Sequence, residues 1–156
     1  MSLLLLLLSL MPAPTDPVVT VGEPMIAYTL PDQHGTSFSF TPGTRWVLFA
    51  FEKKGSGAVN DWLKEAPAYL TDHHMDYVVE ISPMPGIIAN KIALPKMRKY
   101  PHRVLVADDA SFQVTYLKKP KHLTLFQLDE AGMVQAVHYP ESPADVQKLI
   151  ADNEGA

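Results

Sequence analysis

The six residues Trp46–Phe51 (WVLFAF) run on without a polar break. A strand with one wet face alternates apolar and polar residues, so an unbroken run belongs inside a sheet covered on both faces. Glu52–Gly57 (EKKGSG) then supplies a polar, glycine-bearing turn. Ser56 or Gly57 is expected to cap the helix that follows. In open α/β sheets, sites collect where a strand ends and the next helix begins, so chemistry is expected at this turn.

The rest of the chain can be ordered around that strand. Met25–Leu30 and Thr36–Phe40 are short extended runs joined by Pro31–Gly35, a hairpin pattern. From Gly57 to Thr71 the apolar residues Val59, Trp62, Leu63, Ala66, Tyr69 and Leu70 recur at three- and four-residue spacings, which predicts an amphipathic helix. Pro67 should kink or split it, because proline removes a ladder hydrogen bond. Asp76–Ser82 and Arg103–Ala107 are the next strands, with a helix from Gly86 that Pro95 bends or restarts. Asp108 and Asp109 can cap a short helix over Ser111–Leu117. Leu123–Leu128 and Met133–Tyr139 flank Asp129–Gly132, a second hairpin, and Ser142-Pro143 opens the last helix. Strands alternating with helices, then an antiparallel pair, imply a mixed sheet between helix layers.

Composition narrows the function classes. At 156 residues the chain holds one domain with a sizeable core, and 47% hydrophobic with 19% charged residues excludes a disordered chain. A formal net charge of −4 argues against general nucleic-acid binding. The charge is unevenly spread. Lys91–Lys121 holds eight of the thirteen Lys and Arg against Asp108 and Asp109, giving +6 there and −10 elsewhere. No cysteine is present, so this chain has no thiol for a disulfide, a thiolate metal site or thiol redox chemistry. The apolar run Leu3–Leu10 is the length of a signal-peptide core and short of the ~20 residues of a spanning helix. Residues 1–17 are read as an export signal or an uncleaved anchor that packs against nothing, which places the protein in the periplasm or cell envelope.

Several short motifs fall in a familiar order. Gly22-Glu23-Pro24, Tyr28–Gly35, the apolar strand and Glu65-Ala66-Pro67 resemble the opening of the peroxiredoxin and exported thiol–disulfide oxidoreductase branch of the thioredoxin superfamily. Tyr100–Asp109 and Leu123–Gly132 (LTLFQLDEAG) are similar to its later strands and hairpin. The resemblance covers 22–152 and implies a thioredoxin-like α/β domain with an N-terminal β-hairpin. Likeness of order is evidence for fold more than for function. That family starts the helix after the central strand with a cysteine motif, whose spacing Ser56 and Val59 approximate here. It also places a cis-proline before the penultimate strand, where this chain has Lys121-His122-Leu123, with Pro120 a few residues early. The resemblance therefore implies a redox-inactive member.

One constellation remains. In such a fold the turn after the central strand lies beside the loop before the penultimate strand. That would gather Lys53, Lys54, Gly55, Ser56 and Gly57 with Lys118, Lys119, Lys121 and His122 at a helix N-terminus, where free N–H groups attract anions. An anionic ligand or acidic protein partner is expected there, the alternative being solvated surface lysines. The face would then serve a binding or assembly module. The rivals are an enzyme using noncysteine chemistry in the same cleft, and a metal-handling domain using His73, His74 and Met75. Adjacent residues point in different directions, so those three form a weak ligand set. Ser56 lacks a specified base and orienting group, and a capping role explains it better than a nucleophilic one. The methionines, and Trp62 with Tyr69, are read as core. His34, His102 and His138 are read as surface or satisfied polar residues. No phosphate loop or dinucleotide fingerprint is present, so no nucleotide cofactor is expected.

Overall fold

A computed structural model describes residues 17–154; the Leu3–Leu10 run lies outside them. Its centre is β3 (Trp46–Ala50), buried along its whole length. On one side β3 pairs in parallel with β4 (Met75–Glu80), which pairs in parallel with β5 (Leu105–Ala107). On the other it pairs antiparallel with β6 (Thr124–Leu128), whose hairpin partner is β7 (Val134–His138). The five-stranded sheet thus runs β5-β4-β3-β6-β7. The N-terminal hairpin, β1 (Thr29–Pro31) with β2 (Ser37–Ser39), forms a separate antiparallel sheet. It touches the main sheet through a bridge from Asp32 to Leu105.

Alternate residues of β3 feed two cores. Trp46, Leu48 and Ala50 face a layer that includes α1 (Lys53–Glu65), α2 (Tyr69–Asp72) and α6 (Pro143–Glu154). Val47 and Phe49 face the N-terminal segment, the hairpin and α5 (Phe112–Thr115), and Phe51 just beyond the strand joins them. Aromatic rings run through this second layer, with Phe49 stacked on Tyr116 at 4.5 Å between ring centres and edge-on to Phe126 at 5.9 Å. Val19, buried ahead of Gly22, also belongs to it.

Helix boundaries depart from the sequence expectation in instructive ways. α1 begins at Lys53, four residues before Gly57, with Glu52 in the extended N-cap position. Ser56 is therefore not a cap. It sits in the first turn, where its Oγ–H donates to the Lys53 carbonyl at 3.1 Å. Pro67 splits the amphipathic segment, ending α1 at Glu65 before α2 restarts at Tyr69. Trp62 and Tyr69 pack edge to face across that break and lean on the core. Beyond β4, α3 (Gly86–Ile88), a π-helical turn (Ala89–Ala93) and α4 (Leu94–Met97) run on as one interrupted helix. Pro95 has no N–H to return to the carbonyl four residues back, and its ring crowds that carbonyl; the wider π turn just before it relieves both. At α6, Ser142 does cap, its Oγ accepting the Asp145 N–H at 3.2 Å.

Candidate functional site

The ends of β3 and β4 and the start of α1 share one edge of the sheet, and the approach to β6 runs alongside. Glu52 ties the two together: its carboxylate oxygens accept the backbone N–H of Lys121 at 3.1 and 3.4 Å. Lys121 holds that position with φ of +65°, a left-handed conformation unusual for a side-chain-bearing residue. Leu123, buried at the start of β6, presses its side chain over Gly55; a Cβ placed on Gly55 would stand 3.0 Å from Leu123 Cδ2. A side chain at 55 would therefore have to displace the Leu123 methyl group by a few tenths of an ångström. No cis peptide bond occurs among the described residues, and Lys121-His122-Leu123 occupies the approach where the resemblance implies a cis-proline.

Between these pieces lies a groove of about 640 Å³, walled by Glu52, Lys54, Gly55, Lys121, His122 and Glu141 and floored by Leu123. Of the residues the sequence nominated, Lys54, Gly55, Lys121 and His122 therefore meet. Lys53, Ser56, Gly57, Lys118 and Lys119 do not line the groove. Lys119 instead holds its ammonium 5.3 Å over the Tyr139 ring. The carboxylates of the groove are engaged. Glu52 takes the Lys121 N–H, and Glu141 lies 3.1 Å from Nε2 of His122, whose Nδ1 faces the Pro120 carbonyl at 2.9 Å. Among the described residues, no carboxylate lies within 4 Å of the Lys54 or Lys121 ammonium.

Two further grooves open elsewhere. One of about 680 Å³ lies between β2, α2 and the start of β4 and includes His74, Asp76 and Arg103. The other, about 670 Å³, separates the end of β7 from α6. The histidine-methionine triplet does not converge: His73 Nδ1 pairs with Glu154 at 2.6 Å, His74 lines the first groove, and Met75 is buried in β4. Among the described residues no three His, Asp or Glu side chains cluster as a metal site would need.

A buried polar cluster under α1 escaped the sequence. His102 is only 2% exposed, its Nε2 lies 3.1 Å from Asn60 Oδ1, and its Nδ1 has no hydrogen-bond partner. The expectation of a surface or satisfied histidine fails at this residue. Burial, with a smaller push from Lys64, lowers its pKa to about 4. Gln33 braces the loop around it, its amide donating to the His102 carbonyl at 2.7 Å and its Oε1 accepting the Val104 N–H at 2.9 Å. Tyr77, whose hydroxyl donates to the Ser56 carbonyl at 3.4 Å, is pushed up by burial first and by Tyr100 second. Glu80 is also buried, its carboxylate accepting the Ser82 N–H at 2.6 Å and the Gln113 amide at 3.2 Å. Gln33 and His102 lie in loops and Asn60 is a polar residue on a helix, so no apolar period marks them as interior, whereas Tyr77 falls within a strand the sequence predicts.

Comparison with solved structures decides what the architecture is. A protein designated thiol:disulfide interchange protein DsbE, from Chlorobium tepidum, superposes with a TM-score of 0.61, at 15% identity over 88% of this chain and 97% of its own. The fold is thioredoxin-like. A peroxiredoxin-like protein from Aquifex aeolicus matches with a TM-score of 0.56 at 12% identity, covering 87% of this chain and 88% of its own. The pneumococcal exposed lipoprotein thioredoxin of Streptococcus pneumoniae matches at 0.55 and 15% identity, covering 81% and 99%. No protein-family model and no curated protein matches the chain. At such identities the likeness speaks for the thioredoxin-like fold alone. The segment where the sequence resemblance places a cysteine motif carries Ser56, half-buried in α1, and Val59, fully buried beneath it.

Proposed function

We propose that this thioredoxin-like domain is a noncatalytic binding module of the cell envelope, and that it takes an anionic ligand or an acidic protein surface into the groove between α1 and the approach to β6. The observation behind this is the state of its charges. The groove's two carboxylates are engaged by Lys121 N–H and His122, while the Lys54 and Lys121 ammonium groups stand clear of any described carboxylate. An incoming anion would meet two uncommitted cations beside the start of a thirteen-residue helix. Location in the envelope draws support from the exposed lipoprotein among the similar structures and from the apolar run Leu3–Leu10. Binding is favoured over noncysteine enzyme chemistry because the buried groups with displaced pKa values, His102, Tyr28, Tyr77 and Tyr116, line none of the three grooves. The one shifted group among the described residues that lines a groove, half-buried His138 lowered by burial, lies between β7 and α6, away from the groove beside α1.

The test is a titration followed by backbone amide chemical shifts, using a glutamate-rich peptide and a lysine-rich one of equal length. The acidic peptide is expected to move the resonances of Lys54, Gly55, Lys121 and His122, and Lys54→Ala with Lys121→Ala to weaken its binding at least tenfold. Equal response to both peptides, or unchanged binding by the double variant, would end the proposal.

A further inference from the structure

The interrupted helix of α3, the π turn and α4 turns the wrong residues outward for a helix that merely covers a sheet. Ala89 and Met97 are buried, and Ala93 and Leu94 pack against the core. Ile87, Ile88 and Ile92 face solvent, at 72%, 41% and 58% exposure. They are three of the seven large hydrophobic side chains exposed among the described residues, gathered within six positions. Scattered exposed apolar residues need no explanation, whereas a contiguous set does.

The same outward arc carries Lys91, Lys96, Arg98 and Lys99, all exposed. Arg98 donates through Nε to the Gln33 carbonyl at 3.3 Å, and none of the three lysines has a described carboxylate within 4 Å. From Pro83 to Ala107 the chain has five Lys and Arg and no Asp or Glu, a local +5 in a protein of net −4, which leaves −9 elsewhere. An anionic surface would be attracted to this stretch against the net negative charge of the rest of the chain.

We propose that this helix is a peripheral membrane contact, which lays its three isoleucines into the headgroup boundary of an anionic bilayer while the lysines around them pair with lipid phosphates. Apolar side chains ringed by basic ones are the pattern of helices that lie in that boundary. Lipid fits this face through its charge and relief: three isoleucines protrude among lysines that have no described carboxylate within 4 Å, and lipid deforms around such side chains while its phosphates meet the ammonium groups. The proposal is independent of the anion groove.

The natural chain has no cysteine, so Ile92→Cys and Val114→Cys each give one labelling site for an environment-sensitive dye, on opposite faces of the sheet. The full chain is mixed with vesicles of phosphatidylcholine alone or with one-third phosphatidylglycerol. The dye at 92 is expected to shift to the blue on the anionic vesicles and to lose most of that shift in 0.5 M salt, with the dye at 114 unmoved. Replacing Lys91, Lys96 and Lys99 by Gln should lower partitioning at least tenfold, and Ile87→Ser with Ile92→Ser should do the same. A dye at 92 that stays in water on both vesicles overturns the proposal, as does partitioning unaffected by these substitutions, which would assign binding to the Leu3–Leu10 run. A response at 92 to a glutamate-rich peptide and not to lipid would also overturn it, in favour of a protein partner.

Discussion

A histidine whose ring is shut away from water binds a proton poorly, because the charged form loses its hydration and gains nothing in return. His102 is in that position, with Asn60 on one nitrogen and no partner for the other. Its folded pKa of about 4 lies below the 6.5 of an ordinary histidine. Above pH ~6.5 neither the folded nor the unfolded chain is protonated there, and the site contributes fully. As pH falls from 6.5 toward 4, only the unfolded chain takes up the proton, so stability falls with it. Between pH 7 and pH 5 this one group is expected to remove about 2 kcal/mol. Urea unfolding at the two pH values should show that loss in the natural chain, and a difference smaller by about the same amount in His102→Gln. An identical pH dependence in both proteins would mean that His102 reaches water. None of this was legible beforehand, because Asn60 lies forty-two positions from His102 and loop residues have no period that reveals their burial.

Two serines show how far a local signal can be trusted at the scale of an element. Ser142 stands before Pro143 and an apolar period, and its Oγ does accept the Asp145 N–H. Ser56 stands between two glycines after a strand, which reads equally well as a helix start, yet the helix already runs through it. The misleading residue was Gly55. Glycine costs a helix ~1 kcal/mol and so reads as a turn, but here it lies against Leu123, whose methyl a Cβ would crowd, and that contact joins residues far apart in sequence. Ser142→Ala should therefore lower stability by ~1 kcal/mol through loss of the cap. Ser56→Ala should leave stability unchanged or raise it by up to ~0.5 kcal/mol, since alanine is the better helix former. Denaturant midpoints of the two variants decide the matter, and equal losses would mean that both hydroxyls cap. The proline signals needed no tertiary context: Pro67 and Pro95 interrupt their helices through the ring and the missing N–H alone.

At the scale of the molecule, the alternation of strands with helices and the closing hairpin made a mixed sheet readable from one sequence, and the family resemblance implied its thioredoxin-like form. The order β5-β4-β3-β6-β7 came with the structure. The composition of the groove was not readable either, since it depends on the loop before β6, where Lys121 enters the groove and Lys118 and Lys119 do not. Nor did the pattern show that the second face would be closed by aromatic rings more than by helices, because six-residue apolar runs fit either neighbour. Phe49 is where that face is joined. Its ring meets Tyr28 from the N-terminal segment at 6.3 Å, Tyr116 at the end of α5 at 4.5 Å and Phe126 of β6 at 5.9 Å. Phe49 itself is fully buried on the central strand, so truncation would leave a cavity that three separate segments must collapse into. Rigid strands on one side limit that collapse, which places Phe49→Ala at about 3–5 kcal/mol. Domains of this size are stable by ~5–15 kcal/mol, so the loss is a large fraction of the total. Phe112, half-buried at the rim of the same cluster, should cost distinctly less when cut to alanine. Urea midpoints for the two variants test the ordering. A loss below ~1 kcal/mol at Phe49 would show that the hairpin and α5 are held to the sheet by something other than this ring.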